Sequence, residues 1–158
     1  MRLKDKVAIV TGAASGFGEG IARRFAEEGA SILVADIDAA RGASVAASIP
    51  RARFYRADVS QAADVKAMVQ AALDAFGAVD ILVNNAGATH RNQPMLEVDE
   101  ATFDRVYAVN VKSIYLSAVH AVPIMRQQGG GAILNIASTA GVRPRPGLTW
   151  YNGSKGAV

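Results

Sequence analysis

A tyrosine and a lysine close to the last residue of the sequence could together perform acid–base chemistry. Tyr151 and Lys155 are four positions apart, so they share one face if this segment is helical. A phenol ordinarily has a pKa of about 10, and a neighbouring cation favours the phenolate. A phenol tuned in this way can give or take a proton near neutral pH, so the pair predicts a general acid/base site.

A glycine-rich turn near the other end of the sequence has the pattern of a phosphate-binding loop. Residues 11–18 read TGAASGFG and lie between an apolar, strand-like run and a helix-like segment. Glycines let the backbone turn tightly and approach a pyrophosphate, and the free N–H groups at the start of the helix attract the negative charge. The predicted cofactor contacts of this turn are Gly12, Ser15, Gly16, Phe17 and Gly18.

An acidic residue follows the turn at the distance expected for ribose recognition. Asp36 comes after the second strand-like run, 18 positions after Gly18, close to the spacing of about 20 typical of dinucleotide-binding folds. A carboxylate accepts hydrogen bonds from two ribose hydroxyls but repels a 2′-phosphate. No Arg or Lys lies in the glycine turn, and Ile37 follows the acid. We therefore predict NAD(H) as the cofactor and regard NADP(H) as disfavoured.

With these three features in order, the sequence resembles the short-chain dehydrogenase/reductase family along its whole length. Further segments match family motifs. Asp58 and Val59 resemble the pair that contacts adenine, and Asn84-Asn85-Ala86-Gly87 resembles a motif that lines the cofactor cleft and stabilises the sheet. Asn110 matches an asparagine that holds a proton-relay water, and Ser138 lies where the family keeps its catalytic serine. The glycine spacing resembles that of the compact oxidoreductase branch.

The resemblance implies a role for each residue of the reactive centre. Tyr151 is expected to be the general acid/base, and Lys155 to stabilise the phenolate and contact the nicotinamide ribose. Ser138 is expected to donate a hydrogen bond to the substrate oxygen, with Asn110 as the fourth catalytic residue. The implied enzyme is an NAD(P)-dependent oxidoreductase (EC 1.1.1.-) that interconverts a secondary alcohol and a ketone by hydride transfer. The cofactor contacts implied beyond the glycine turn are Asp36, Ile37, Asp58, Val59, Asn85, Ala86, Gly87, Tyr151 and Lys155.

Alternative functions stay open at this point. The segment Arg143-Pro144-Arg145-Pro146 and the overall pattern are similar to 3-oxoacyl-carrier-protein reductases and to sugar dehydrogenases. Asp36 weakens the first of these, because those reductases generally use NADPH. If the 158 residues are the whole protein, an inactive dinucleotide-binding module becomes the stronger alternative. The partners implied by the resemblance are a small-molecule alcohol or ketone and further copies of the same chain, as a dimer or tetramer.

The composition argues against several other kinds of site. The sequence contains no cysteine and two histidines, His90 and His120, so we expect no disulfide, no thiolate catalysis and no metal site. The net charge of +3 is not concentrated in a basic run with interleaved aromatics, which argues against a nucleic-acid partner. No uninterrupted apolar run approaches ~20 residues, and the first residues lack a signal-peptide pattern. We therefore expect a cytoplasmic protein with no membrane partner.

Alternating strand and helix patterns must position these residues. Asp38 and Ser60 are the predicted N-caps of two of the helices. The alternation predicts an α/β fold, namely a Rossmann-like doubly wound parallel sheet with helices on both faces. The predicted strands lie at 7–10, 31–35, 54–55, 81–83 and 132–136. The predicted helices lie at 17–28, 38–49 and 60–76, and two further helical stretches fill 100–128.

We expect residues 1–158 to form a single dinucleotide-binding domain, because no linker or repeat interrupts the pattern. The family continues beyond the Tyr/Lys helix, so we also expect this chain to be the front part of a longer protein whose C-terminal strands are missing here. On that expectation, Lys155 has no following helical turn to fix its direction, and the sheet ends in a bare parallel edge. Gly153 stands where the family usually has alanine, which costs a helix roughly 1 kcal/mol.

Overall fold

Strands and helices alternate along the chain, as the sequence predicts. The computed structural model describes all residues from Met1 to Val158. The strands are β1 (Val7–Thr11), β2 (Ser31–Asp36), β3 (Ala52–Arg56), β4 (Ile81–Asn84) and β5 (Ala132–Asn135). The helices are α1 (Gly16–Glu27), α2 (Ala39–Ala47), α3 (Ala62–Phe76), α4 (Glu100–Tyr107), α5 (Ser113–Gln127) and α6 (Thr149–Gly156). A π-helical turn, Ala108–Lys112, joins α4 to α5, and short 3-10 turns lie at Met95–Glu97 and Thr139–Gly141.

All five strands are parallel and lie in the order β3-β2-β1-β4-β5. The central strand β1 is buried at every position, and its Val10 is paired with Val34 on one side and Val83 on the other. The chain thus moves outward from β1 in one direction, then returns to add β4 on the other side. In such a sheet the carboxyl ends of the strands on either side of this reversal open into a crevice, which is the usual place for a ligand.

Two hydrophobic clusters cover the two faces of the sheet. Successive residues of a strand point to opposite faces, so Ile9 packs with the α3 residue Met68, whereas Val10 packs with the α1 residue Ala22. Helices α3 and α5 contribute to the first cluster, and α1 and α2 to the second. The predicted doubly wound α/β architecture is confirmed, and it holds the carboxyl ends of the strands in fixed positions.

The sheet ends at β5, in the bare parallel edge that the sequence predicts. All four β5 residues are exposed, including the large apolar side chains of Ile133 and Leu134. In β1, by contrast, no residue is exposed. Strand β5 is one residue shorter than expected, since it ends at Asn135 rather than Ile136.

Of the two predicted N-caps, one is present and one is not. Asp38 accepts a hydrogen bond from the backbone N–H of Arg41, across 3.0 Å, and caps α2. The prediction that Ser60 caps α3 is wrong, because α3 begins after Gln61. The N–H and the hydroxyl of Ser60 both donate to Asp58 Oδ1, across 2.9 and 2.7 Å. An aspartate two positions earlier thus holds Ser60 in a local turn before the helix begins.

Helices α4 and α5, with the π turn between them, form one continuous helix from Glu100 to Gln127. By length and composition alone this helix could cross a membrane, which was not expected from the sequence because charged residues such as Asp104 and Lys112 interrupt its apolar runs. Core helices of soluble proteins often share this property. Here α5 packs against α3 and β4, and its residue Ala121 is completely buried in the core.

Candidate active site

A cleft of about 490 Å³ opens at the carboxyl ends of β1 to β4. Nine of the predicted cofactor-binding residues line it, namely Gly12, Ser15, Asp36, Ile37, Asp58, Val59, Asn85, Ala86 and Gly87. Five further lining residues were not predicted from the sequence: Ala57, Ser60, Ala88, Arg105 and Val109. We call this space the cleft throughout.

The glycine turn leaves the start of α1 open to a ligand. Gly16 has a φ of +58°, which favours glycine, and no atom lies within 4 Å of the place where its Cβ would be. A Cβ on Gly18 would overlap the carbonyl of Gly12, so α1 can approach β1 this closely only with glycine there. Ser15, the N-cap of α1, makes no side-chain capping bond. The first N–H groups of the helix are therefore free to bind an anion such as a phosphate.

Phe17 follows this open backbone as the second residue of α1, and its side chain is 84% exposed. A large apolar ring at this level of exposure has no packing role within the chain. It lies next to Gly16, at the end of the helix that faces the cleft. Its predicted contact with a cofactor stays a prediction.

Asp36 is held rigidly at the edge of the cleft. Its Oδ2 accepts a hydrogen bond from the backbone N–H of Ala14, and its Oδ1 accepts one from the N–H of Asp38, each across 2.9 Å. These bonds connect the glycine turn to the start of α2 and fix the plane of the carboxylate. Each carboxylate oxygen still has acceptor capacity, so the pair suits two neighbouring hydroxyls of a ribose.

Hydrogen bonds between the ends of β1 and β4, where the strand order reverses, join the glycine turn to the segment after β4. Thr11 Oγ1 donates to Val83 O and accepts from the backbone N–H groups of Asn85 and Ala86. The side-chain amide of Asn85 donates to the carbonyls of Thr11 and Gly12, across 2.8 and 3.1 Å. Two walls of the cleft are thus fixed relative to each other, and Asn85 serves as a structural residue as well as a lining residue.

Lys155 is directed toward the end of β5 rather than left without support. Its Nζ donates a hydrogen bond to Ile136 O across 2.7 Å, and only 8% of the residue is exposed. The expectation that its direction would be unfixed is therefore wrong, because a carbonyl 19 positions earlier holds it. Burial lowers the pKa of the Lys155 ammonium below its ordinary value. A Cβ on Gly87 would lie 3.7 Å from this Nζ, so Lys155 lies beside the cleft wall.

Asn110 lies in the π turn and connects the segment after β4 to α6. Its Nδ2 donates to Ala88 O and to Ser154 Oγ, across 2.8 and 2.9 Å, and its Oδ1 accepts from the N–H of Ala88. Ser154 Oγ in turn donates to Tyr151 O across 2.8 Å. Both N–H groups of the Asn110 amide are thus used within the protein. Its predicted part in a water relay stays a prediction, whereas its contact with the Tyr/Lys helix is visible.

Ser138 and Tyr151 approach the same region from two segments. Ser138 follows β5 and its Oγ accepts a hydrogen bond from the N–H of Ala140, so the hydroxyl proton stays free to donate. The turn that Ser138 begins packs directly against α6, since a Cβ on Gly141 would lie 2.5 Å from Lys155 O. Tyr151 is half-buried in the first turn of α6. The fold therefore brings together the segments that carry the four predicted catalytic residues.

Gly153, which stands where the family usually has alanine, lies close to Tyr107. A Cβ on Gly153 would lie 2.8 Å from the hydroxyl oxygen of Tyr107. Helix α6 thus lies close to α4 at this position, and a methyl group there would require only the Tyr107 hydroxyl to shift.

Arg105 is the most informative of the cleft residues that sequence reasoning missed. It is the only cation among the 14 lining residues, which also include the carboxylates of Asp36 and Asp58. Its Nη2 donates to Thr89 O across 3.0 Å, which holds the guanidinium beside the segment after β4. No local signal in the sequence marked it, because Val109, four positions later on the same helix face, was not predicted to line the cleft either.

Similarity to known proteins agrees with this geometry. The sequence profile of the family described as "short chain dehydrogenase" matches residues 6–158. The 4-formylbenzenesulfonate dehydrogenase of Comamonas testosteroni is 54% identical over 162 residues, which cover 100% of this chain and 64% of that protein. Galactitol 2-dehydrogenase of Agrobacterium fabrum is 44% identical, with coverage of 100% and 62%. This chain thus spans less than two thirds of the length of both relatives.

A solved structure shows the same fold. The crystal structure of a 3-ketoacyl-(acyl-carrier-protein) reductase from Brucella melitensis, complexed with NADH, matches this chain with a TM-score of 0.95 at 48% identity. The match covers 98% of this chain and 66% of that one. The described residues therefore have the architecture of that reductase over almost their entire length.

Proposed function

Since this chain belongs to the short-chain dehydrogenase family, we propose that it forms the cofactor-binding and catalytic part of an NAD(H)-dependent oxidoreductase acting on a secondary alcohol or its ketone. One observation carries this proposal. Gly87 lines the cleft, and its backbone lies beside the buried Nζ of Lys155. The predicted dinucleotide site and the predicted acid/base pair are therefore neighbours, as hydride transfer between cofactor and substrate requires.

The residues of the cleft fit NAD. The open start of α1 suits the two phosphates, and the fixed carboxylate of Asp36 suits an unphosphorylated adenosine ribose. Asp58 uses one carboxylate oxygen for Ser60, which leaves the other for the adenine amino group. A 2′-phosphate would lie close to Asp36 and be repelled by it, so we propose NAD in preference to NADP.

The residues of the reactive centre can move and hold a proton. We assign proton transfer at the substrate oxygen to Tyr151, whose phenol gives the proton during ketone reduction and takes it during alcohol oxidation. The free hydroxyl proton of Ser138 would stabilise the negative charge that develops on the same oxygen. We assign to Lys155 a place beside the cleft wall, next to Gly87, from which its ammonium can contact the nicotinamide ribose. When bound, NAD supplies the hydride chemistry.

We propose two candidate substrate classes within the secondary alcohols. Galactitol 2-dehydrogenase, by its name, oxidises a sugar alcohol, which keeps a sugar dehydrogenase as a candidate. A 3-oxoacyl-carrier-protein reductase is the second candidate, because the Brucella melitensis reductase whose structure matches this chain is of this kind and was crystallised in complex with NADH. Preference for NADH is therefore no argument against it. The relative from Comamonas testosteroni is named for an aldehyde, 4-formylbenzenesulfonate, which lies outside the secondary alcohols and favours neither candidate.

We also propose that the whole protein forms a homo-oligomer. Tyr115 and Val119 are exposed on the same side of α5, four positions apart, although both are large and apolar. A second copy of the chain is the simplest partner for such a face. Size-exclusion chromatography with light scattering would show a dimer or tetramer, and a monomer at micromolar concentration would contradict this proposal.

Two measurements on the full-length protein test the proposed function. NADH fluorescence titration measures binding, and an assay of NADH formation with galactitol, other secondary alcohols and a 3-hydroxyacyl thioester measures turnover. We expect micromolar binding of NADH and turnover with at least one alcohol. Binding without turnover on the whole panel would instead favour an inactive dinucleotide-binding module, and failure to bind NADH would contradict the cofactor assignment as well.

A further inference from the structure

The segment that leads into α6 is fastened to the loop that follows β4. Asn92 Nδ2 donates to Pro146 O across 2.9 Å, and the backbone N–H of Gln93 donates to Gly147 O across 3.1 Å. Gly147 has a φ of +72°, and a Cβ there would collide with the amide of Asn92. The close approach of the two segments therefore depends on glycine at this position.

Trp150 extends this contact into α6 itself. Its indole Nε1–H donates to Met95 O across 3.1 Å. Its ring also meets Phe103 of α4 edge to face, with centroids 5.3 Å apart and planes at 88°. A pair of this geometry contributes about 0.5–1.5 kcal/mol beyond its buried area. We call residues 92–95 and 146–150 together the clasp.

Helix α6 needs support at its first turn. It has eight residues, and a helix this short is marginal without packing partners. Leu148 precedes it and provides no side-chain cap. Its last turn is held by Ser154, bonded to Asn110, and by Lys155, bonded to the end of β5. In the first turn, Ser154 Oγ donates to Tyr151 O, and Asn152 accepts from the N–H of Arg145 and donates to its carbonyl. Among the side chains of this turn, Trp150 is the one that contacts both the loop after β4 and α4.

We propose that Trp150 is a positioning residue that holds the first turn of α6 and thereby fixes the direction of the Tyr151 side chain. The inference rests on the proposed role of Tyr151 in proton transfer. It assigns to Trp150 no contact with the cofactor, because Trp150 does not line the cleft. The clasp also ties Tyr151 to the loop after β4, so a change in that loop alters the geometry of proton transfer.

Substitution of Trp150 in the full-length protein separates positioning from cofactor binding. The Trp150→Leu variant loses both the hydrogen bond to Met95 and the edge contact with Phe103. We expect its kcat to fall by about tenfold or more, because small misplacements of reacting groups are costly, while the Kd for NADH stays within about twofold of the wild-type value. Trp150→Phe keeps an aromatic ring for Phe103 and is expected to recover part of the loss. Leu96→Ala, on the same loop and 89% exposed, is the matched control.

Two further readouts detect positioning itself. Amide hydrogen exchange at 151–154 should be faster in Trp150→Leu than in the wild type, and kcat should fall while KM for the alcohol stays within about twofold of the wild-type value. Gly147→Ala disturbs the same clasp without changing the Trp150 indole, and we expect it to reproduce the loss of kcat. If Trp150→Leu misfolds and loses NADH binding, the kcat values of Trp150→Phe and Gly147→Ala test the positioning role of Trp150 instead.

The outcomes distinguish this inference from the function on which it rests. An inactive Tyr151→Phe together with wild-type kcat and wild-type exchange in Trp150→Leu would overturn the role of Trp150 alone. Turnover retained in Tyr151→Phe, or a wild-type protein that binds NADH but turns over no alcohol of the panel, would overturn the proposed function and the role of Trp150 with it.

Discussion

The side-chain amide of Asn110 donates a hydrogen bond to Ser154 Oγ across 2.9 Å, and this buried contact joins the π turn to α6. The two residues are 44 positions apart in sequence. Ser154 Oγ in turn donates a hydrogen bond to the backbone carbonyl of Tyr151. The position of the predicted acid/base therefore depends on a helical segment that precedes β5. This relationship ties the segment after β4, the π turn and α6 into one unit.

Removing the Ser154 hydroxyl should destabilise the protein. Ser154→Ala leaves one N–H of the Asn110 amide without a partner in a buried site, which costs about 1–3 kcal/mol. Urea denaturation would measure this decrease in the free energy of unfolding. Ser117→Ala is the matched control, because Ser117 Oγ is also buried but has no hydrogen-bond partner. We expect Ser117→Ala to be neutral or stabilising, and equal effects of both changes would contradict the importance of the Asn110 contact.

Tyr151→Phe should abolish most of the turnover and leave cofactor binding intact. Loss of a positioned general acid/base lowers rates by about 10²–10⁴-fold, whereas the phenol oxygen is not among the groups that line the cleft. Steady-state kinetics and NADH titration measure the two effects. Tyr115→Phe removes a hydroxyl from an exposed tyrosine on α5 and should change neither. A Tyr151→Phe protein with normal kcat would place the acid/base elsewhere.

Asp36→Ala should shift the cofactor preference toward NADP. The change removes both the acceptor for the ribose hydroxyls and the charge that repels a 2′-phosphate, so we expect the ratio of Kd values to move by about tenfold or more. Asp38→Ala removes a neighbouring carboxylate that caps α2, so it should lower stability by about 1 kcal/mol without altering the ratio. An unchanged ratio in Asp36→Ala would remove Asp36 from the ribose.

Lys155 should make stability depend on pH in the alkaline range. Burial lowers its pKa in the folded protein below the value of 10.5 for a free lysine side chain. Between the folded and unfolded pKa values the unfolded chain binds more protons, so the contribution of Lys155 to the free energy of unfolding rises as pH rises through this window. Lys155→Met lacks this rise. Urea denaturation of both proteins from pH 7 to pH 10 checks it, and parallel curves would contradict it.

Arg105→Gln should weaken NADH binding, because Arg105 is the only cation that lines a cleft containing two carboxylates. For an exposed charge we expect a loss of about three- to fivefold in affinity at low salt, and a smaller loss at high salt because ions screen the interaction. Arg126→Gln removes an equal charge from the last turn of α5, outside the cleft, and should have no effect. Equal Kd values for the two variants would contradict a role for Arg105.

Local patterns predicted the strands and the start of the cleft at the glycine turn and Asp36, because each depends on residues close together in sequence. The resemblance to the family supplied the other predicted lining residues, namely Asp58, Val59, Asn85, Ala86 and Gly87. The apolar runs predicted β1 to β5, and the glycine turn with Asp36 predicted the cleft. Contacts between distant segments could not be predicted in this way. The bond from Lys155 to Ile136 O and that from Trp150 to Met95 O arise only when the strands and helices are packed. The prediction of a Ser60 cap is wrong for a local reason, because the backbone N–H and the hydroxyl of Ser60 both donate to Asp58 in a turn before the helix.

The π turn at Ala108–Lys112 is equivalent to one residue inserted into a continuous helix. Deleting any one residue of this turn would restore a regular helix and rotate α5 by about 100° relative to α4. Tyr115 and Val119 would then turn away from the surface, and buried residues such as Ala121 would turn toward it. The length of this turn is therefore constrained independently of its chemistry, and homologous sequences should tolerate substitutions at its positions other than Asn110 far more readily than gaps.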